Sequence, residues 1–291
     1  MNKGKVIVQL FGGLGNQMFI YATGKALALR NGSEFIIDHK SGFIGDVYKR
    51  KFELNNFNIS AKLAPDIYSF NYKFGGYIRL ISNKIKRHLP FLTIKIIEES
   101  NSEFNEDLIA GKNTNCLLKG YWQTEDYFKD CSDIISREFL FAKKMSNSVL
   151  NEASIIESYD GRAVALGVRR YQEVKTLVNV KLTDKEYYLS SMKKISEKIN
   201  NPVFFCFTQD QEWVKTNLFN HGFEILFLKE KNTEDGALED LFLLKGCKNF
   251  IISNSTFYWW GAWLSENKNK IVITPSNWVN KLTVCNSWNN I

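Results

Sequence analysis

Three short stretches of this chain place groups suited to holding an anion at the end of an apolar run. In NFIISNSTFYWWGAWL, Ser253, Asn254, Ser255 and Thr256 offer hydroxyls, an amide and the N–H groups of a helix start, with Phe257 next to them. A helix start leaves its first N–H groups without internal partners, and its dipole favours negative charge. Capping needs one such residue, so four in a row fit a ligand as well as a cap. In AVALGVRRYQE, Arg169 and Arg170 emerge side by side. Adjacent guanidiniums repel unless an anion or carboxylates neutralise them, and their planar fork suits bidentate phosphate; salt bridges to Glu173 or Asp184 would serve equally. In KVIVQLFGGLGNQ, Gly13 and Gly15 would let a ligand approach the backbone, while Asn16 and Gln17 supply amides. This loop shares two glycines with the dinucleotide fingerprint, and Asp38 ends the next strand as a ribose-binding acid would, but Met18 stands where the third glycine belongs. A tight turn with no ligand fits it too.

The elements that must carry these stretches read as α/β. KVIVQL has strand composition, MFIYATGKALALRNG is a helix with Met18, Ala22, Ala26 and Leu29 along one face, and EFIID is a second strand. Residues 40–150 are less regular, with strand-like LTIKII and CLLKGYW and a helical DYFKDCSDIISREF. After a linker expected near residues 148–161, the runs AVALGV, VFFCFT, EILFL, NFIIS and KIVITP alternate with helical stretches, the first opening on a capping box from Thr183 to Glu186. Such alternation predicts a parallel sheet, with ligands bound beyond the strand ends. The expected organisation is two α/β domains, residues 1–150 and 151–291, with a cleft between them.

Composition narrows the class. Hydrophobic residues make up 44% of the 291, enough to bury sizeable cores. No apolar stretch approaches the ~18–20 residues of a membrane span, and the N-terminus lacks a signal peptide's apolar region and cleavage site, so a cytoplasmic protein is expected. Five cysteines without a CxxC pair point to packing rather than to disulfides or structural zinc. There is no Asp-x-Asp, and His39, His88 and His221 are scattered, so no metal site is expected. The formal net charge is +7, and from Lys62 to Lys95 seven basic residues meet a single acid, Asp66, among Tyr68, Phe70, Tyr72, Phe74, Tyr77 and Phe91. That stretch is either a solvated helix face over a core or a basic amphipathic surface in peripheral contact with anionic lipid at the inner membrane surface. No recognition helix or stacking motif accompanies the charge, so nucleic acid is not an expected partner.

Taken together, FGGLGNQMFIYATGKALA, GVRRYQE and DLFLLKGCKNFIISNSTFYWWGAWLS resemble the bacterial α-1,2-fucosyltransferases of glycosyltransferase family 11. The resemblance implies a GT-B fold of two facing Rossmann-like domains. It also implies inverting transfer of L-fucose from GDP-β-L-fucose to the 2-hydroxyl of a terminal β-galactose, on a free galactoside or a lipid-linked oligosaccharide, in O-antigen or other surface polysaccharide synthesis, with no cofactor or required metal. By the same resemblance, Arg169 and Arg170 match the arginines of the family's HxRRxD motif, at least one of which binds pyrophosphate. Ser255, Thr256 and Phe257 match a segment that contacts phosphates and nucleotide, Asp240 resembles an acid that reads guanine, and Asn16 matches a loop asparagine that reaches the leaving phosphate. The chain departs from the motif at Gly167, in place of histidine, and at Gln172, in place of aspartate, which leaves Glu173 as candidate general base. Two rival classes stand beside this reading. A nicotinamide oxidoreductase would hold a dinucleotide on the glycine loop; a non-catalytic carbohydrate-binding protein would use the seven tryptophans and bind glycans without GDP.

Overall fold

In the computed structural model, which describes residues 3–65, 94–100, 103–170, 182–229, 235–276, 278 and 283–290, KVIVQ forms strand β1 (Lys5–Gln9). The chain divides into two units, Met1–Lys143 and Lys144–Ile291. In the first unit, β1 is followed by helix α1 (Leu14–Arg30), β2 (Glu34–Asp38), β3 (Lys62–Leu63), β4 (Lys95–Glu98), α2 (Glu106–Ala110), β5 (Cys116–Lys119) and α3 (Ser132–Glu138). The strands lie in the order β3-β2-β1-β5-β4, all parallel. Val6, Ile7 and Val8 of β1 and Leu117 and Leu118 of β5 are fully buried, as the central strands of a parallel sheet must be. Met18, Ala22 and Ala26 are buried on α1 as expected, but Leu29, in the last turn, is 44% exposed. Close packing of α1 on the sheet depends on Gly24, where a Cβ would stand 2.3 Å from Val8 Cγ1 and 2.7 Å from Phe35 Cε2.

The stretch that was hard to read holds short elements. DYFKDCSDIISREF is mostly single 3₁₀ turns (Glu125–Tyr127, Lys129–Cys131) with a helix only at α3. CLLKGYW stops being a strand at Lys119, because Gly120 (φ +153°) and Trp122 (φ +54°) leave extended geometry. What holds this region is a buried polar network. Glu138 on α3 accepts from Tyr21 Oη (2.5 Å), Ser60 N (2.6 Å) and Ser60 Oγ (2.6 Å), and pairs with Lys25 Nζ at 2.7 Å.

The second unit runs α4 (Asn147–Ser158), β6 (Ala163–Val168), α5 (Lys185–Ser196), β7 (Val203–Thr208), α6 (Gln211–Leu218), β8 (Glu224–Phe227), α7 (Gly236–Gly246), β9 (Asn249–Ile252), α8 (Thr256–Leu264), β10 (Val272–Thr274) and β11 (Asn289–Asn290). Its sheet has the order β11-β10-β9-β6-β7-β8, all parallel. The linker expected near residues 148–161 is instead mostly α4. Ser146 caps this helix by accepting from Val149 N, and Val149 and Ile156 are buried; the boundary expected after residue 150 falls inside it. The cap of α5 is Asp184, which accepts from Tyr187 N at 2.9 Å, so Thr183 does not open a capping box and is buried instead.

The second sheet reverses its winding once, between β6 and β9, and in the first the chain crosses from β3 past β1 to β4 and turns back to place β5 beside β1. At such a switch point neighbouring crossovers depart in opposite directions, and a crevice opens beyond the strand ends. All three stretches singled out by their chemistry sit at these two points. The basic stretch at 66–93 lies outside the described residues, and among the described residues no helix is long and apolar enough to cross a membrane.

The Glu138 network makes the first unit acid-sensitive. Burial opposes ionisation of this carboxyl, but hydrogen bonds from Lys25, Ser60 and Tyr21 outweigh it and hold its pKa below the ordinary value. A depressed carboxylate stabilises the fold above its unfolded pKa of about 4.3, and that contribution is lost as pH falls through the folded value. Glu138→Gln is expected to cost about 3–5 kcal/mol at neutral pH, because it strands Lys25. It should also flatten the fall of stability below about pH 5. Urea unfolding at a series of pH values checks both, and equal acid slopes in the two proteins would contradict the assignment.

Candidate functional site

At the second switch point the register does the positioning. Gly167 on β6 faces Ile252 on β9, so the residues that follow leave the same sheet edge side by side. Ser253 N donates to Gly167 O at 3.2 Å, and Arg169 N donates to Ser253 Oγ at 3.2 Å. These two bonds join the arginine motif to the serine-rich turn. Ser253, Asn254 and Ser255 are buried, whereas Thr256, Phe257, Arg169, Arg170 and Asp240 are half-buried. Trp259 and Trp260 are fully buried, so these two rings belong to the core and offer no surface to a sugar.

Among the described residues, Arg170 is held by an aromatic ring and a backbone carbonyl. Its guanidinium lies 4.4 Å from the centre of the Trp213 ring, and Nη1 donates to Thr183 O at 3.2 Å. Asp184, one expected partner, is engaged as the α5 cap. A cation over an aromatic face gains about 0.5–2 kcal/mol and keeps its full charge. Glu173, the other expected partner and the candidate base, lies outside the described residues, as does Gln172.

The helix start beside the arginines lacks the usual side-chain cap. Ser255 is the N-cap of α8, yet its side chain makes no capping bond, and the first turn carries no acid. Among the described α-helices, only α1 shares both features, with Gly13 as N-cap. Elsewhere Asn105, Ser146, Asp184 and Asp210 cap with their side chains. The starts of α3 and α7 carry Asp133 and Glu239. Among the described α-helices, the two that begin at the switch points are therefore the two with neither a side-chain cap nor a first-turn acid, which suits an anion.

Gly167 has a structural reason. A Cβ there would stand 2.7 Å from Cγ of Tyr258, whose ring packs on the glycine. The Tyr258 hydroxyl donates to Phe207 O at 2.8 Å, which ties the first turn of α8 to the end of β7. Burial pushes this phenol well above its ordinary pKa; Arg169 nearby opposes the shift and Asp240 adds to it. Arg169 and Asp240 thus lie within electrostatic reach of one hydroxyl, although 71 residues of sequence separate them.

In the first unit, the glycine loop follows β1 at the other switch point. Gly12 is left-handed (φ +76°), and Gly13 and Gly15 frame the start of α1. Gln17, expected to offer its amide to a ligand, is fully buried: Nε2 donates to Gly12 O (3.0 Å) and Lys51 O (2.9 Å), and Oε1 accepts from Glu53 N (3.0 Å). It is a clamp on the loop. Asn16 is half-buried, and its Oδ1 accepts from Gln123 Nε2 at 3.1 Å. Asp38 is fully buried and accepts from Lys40 N (3.1 Å), Ser41 N (3.0 Å) and Ser41 Oγ. A ribose-binding acid must point outward, so this geometry removes the support for a nicotinamide site.

The structure thus gathers Arg169, Arg170, Asp240, Ser253, Asn254, Ser255, Thr256 and Phe257 in the second unit and Gly13, Gly15 and Asn16 in the first. Sequence reasoning missed the residues that hold them: Trp213 under Arg170, Tyr258 on Gly167 and Gln123 on Asn16. No local pattern marks these, since each acts across tens of residues.

An alpha-1,2-colitosyltransferase of Escherichia coli is 29% identical over 285 residues, 94% of this chain and 92% of that protein. The O-antigen biosynthesis glycosyltransferase WbnK of Escherichia coli is 29% identical over 310 residues, 97% of this chain and 99% of that protein. At 22% identity, a galactoside alpha-(1,2)-fucosyltransferase 2 of Hylobates lar matches over 90% of this chain and 70% of its own. The structure of an Arabidopsis thaliana FUT1 mutant in complex with GDP has the same fold, with a TM-score of 0.52 at 13% identity over 93% of this chain and 70% of that one. Two parallel α/β units of this kind make the GT-B fold expected from the sequence. Since the model of glycosyl transferase family 11 matches residues 1–286, the chain belongs to that family and is a glycosyltransferase.

Proposed function

We propose that this glycosyltransferase moves L-fucose, or a close deoxy relative, from its GDP-β derivative to the 2-hydroxyl of a terminal β-galactose, with inversion and without a metal. The observation that carries the reading is the meeting of Arg169, Arg170 and the start of α8, which has no side-chain cap and no first-turn acid, at the β6/β9 switch point. A departing nucleoside diphosphate gains negative charge as the glycosidic bond breaks. Fixed positive groups aimed at that charge lower the barrier at no reorganisation cost. Asp240 would read the guanine, Phe257 would touch the nucleotide, and Asn16, oriented by Gln123, would reach the leaving phosphate. The sugar passes through an oxocarbenium-like state while the acceptor hydroxyl attacks its opposite face. We assign removal of the hydroxyl proton to Glu173, and its loss should slow transfer by roughly 10²–10⁴.

The similar proteins leave two donors. The colitosyltransferase and the galactoside fucosyltransferase both form alpha-1,2 linkages by name, and colitose differs from fucose in lacking one ring hydroxyl. The acceptor reading follows the fucosyltransferase, and a lipid-linked repeat unit met at the cytoplasmic face of a membrane follows the O-antigen enzyme. Membrane contact through residues 62–95 belongs to the same proposal.

Initial rates with GDP-fucose and GDP-colitose on neutral β-galactosides, followed by linkage analysis of the product, test the reaction. Arg170→Ala should lower kcat by about 10²–10³, with Arg170→Lys recovering only part because it keeps the charge and loses the fork. Unchanged rates in Arg170→Ala would overturn the assigned role. Transfer should proceed at full rate in EDTA; activity lost on chelation and restored by magnesium would refute the metal-independent mechanism.

A further inference from the structure

The arginine motif lacks a side chain at Gly167, on β6 and two residues before Arg169, and a residue from another element fills the space that this leaves. A Cβ built on Gly167 would stand 2.7 Å from Cγ of Tyr258, 2.8 Å from Cδ2 and 3.1 Å from Cδ1. These atoms are the root of a ring on α8, in a residue only 5% exposed, so the ring cannot swing clear without disturbing the core around it. An interior packed to crystal density does not admit both groups. A side chain at 167 and the ring at 258 therefore exclude one another. The ring that a histidine would supply from β6 is delivered by α8 instead.

Delivery from α8 brings a hydroxyl to the place where two strands end. Tyr258 Oη donates to Phe207 O on β7 at 2.8 Å, and Val168 O, on the last residue of β6, lies 3.4 Å away as a weaker second acceptor. The Val168 carbonyl and the Arg169 N–H belong to one peptide unit, and that N–H donates to Ser253 Oγ at 3.2 Å. The peptide from which Arg169 departs is thus met on one edge by the turn before α8 and on the other by the first turn of α8. Burial keeps the phenol protonated, as a donor must be, and the Arg169 charge is close enough to act on it. Being buried, Tyr258 works through Arg169 and not by touching the donor.

We propose that Tyr258 is a positioning residue of the diphosphate site, standing in the space of the motif's histidine and fixing the peptide that carries Arg169. The inference rests on the transferase reading above, and adds to it the group that aims one of its arginines.

Tyr258→Phe keeps the ring and removes the hydroxyl. It should weaken GDP binding, measured by titration calorimetry, and lower kcat/KM for the sugar nucleotide, each by about tenfold, the worth of one hydrogen bond. The KM for the acceptor should stay at the wild-type value. In an Arg169→Ala background both losses should largely vanish, whereas a hydroxyl that only supports the fold would cost the same in either protein. Urea unfolding tests the shared space: Gly167→His should lower the midpoint of the wild type and raise that of Tyr258→Ala, where the ring is gone. A lower midpoint in both would overturn the exchange. Transfer by the wild type, with GDP affinity and kcat/KM unmoved in Tyr258→Phe or reduced equally with and without Arg169, would overturn the role of Tyr258 and leave the transferase reading intact. A wild type that transfers neither donor's sugar, yet loses GDP affinity in Tyr258→Phe only when Arg169 is present, would leave that role standing and overturn the reaction.

Discussion

Positive charge gathered at the end of two adjacent parallel strands is the constraint from which the rest of this structure follows. β6 and β9 bring a pair of arginines and the start of α8 to one sheet edge, and hydrogen bonds through Ser253 fix their separation. Proteins ordinarily neutralise such a convergence with caps and first-turn acids, as most of the described helices do. Here Ser255 withholds its side chain, and Arg170 rests on the face of Trp213, which holds the guanidinium without cancelling it. Groups fixed in this way are placed to stabilise a leaving diphosphate.

The first unit meets a different need. Its glycine loop is locked from below by fully buried Gln17, and Asn16 is turned by Gln123, so a flexible-looking sequence becomes a fixed one. Beside it, Glu99 holds the strained turn at residues 120–122 in place. The edge that carries the arginines and the start of α8 suits a diphosphate.

Much of the plan was legible because it is local. The β1-loop-α1-β2 opening and the alternation from β6 to β10 follow from periodicity, and the three chemical stretches could be found because they sit at strand ends. What escaped was long-range or short. Residues 40–150 build their sheet edges from β3 and β4, strands of two and four residues, too brief to show alternation. Their stability rests on partners such as Glu138 and Tyr21 that no window can join. α4 read as a linker because its apolar face is sparse, and the Ser146 cap was the signal that could have found it. Gly167 looked like a defect in a motif. It is half of a pair, and its meaning appeared only once the Tyr258 ring was found packed against it.

The central claim is that main-chain N–H groups at the start of α8 and the adjoining arginines hold the diphosphate. Amide hydrogen exchange across residues 253–260, measured with and without saturating GDP, tests it most directly. The account predicts exchange slowed by about tenfold or more at the first turn of α8 and in the segment ending at Arg170. Protection confined to other strand ends, with the α8 start exchanging at the same rate in both states, would contradict it.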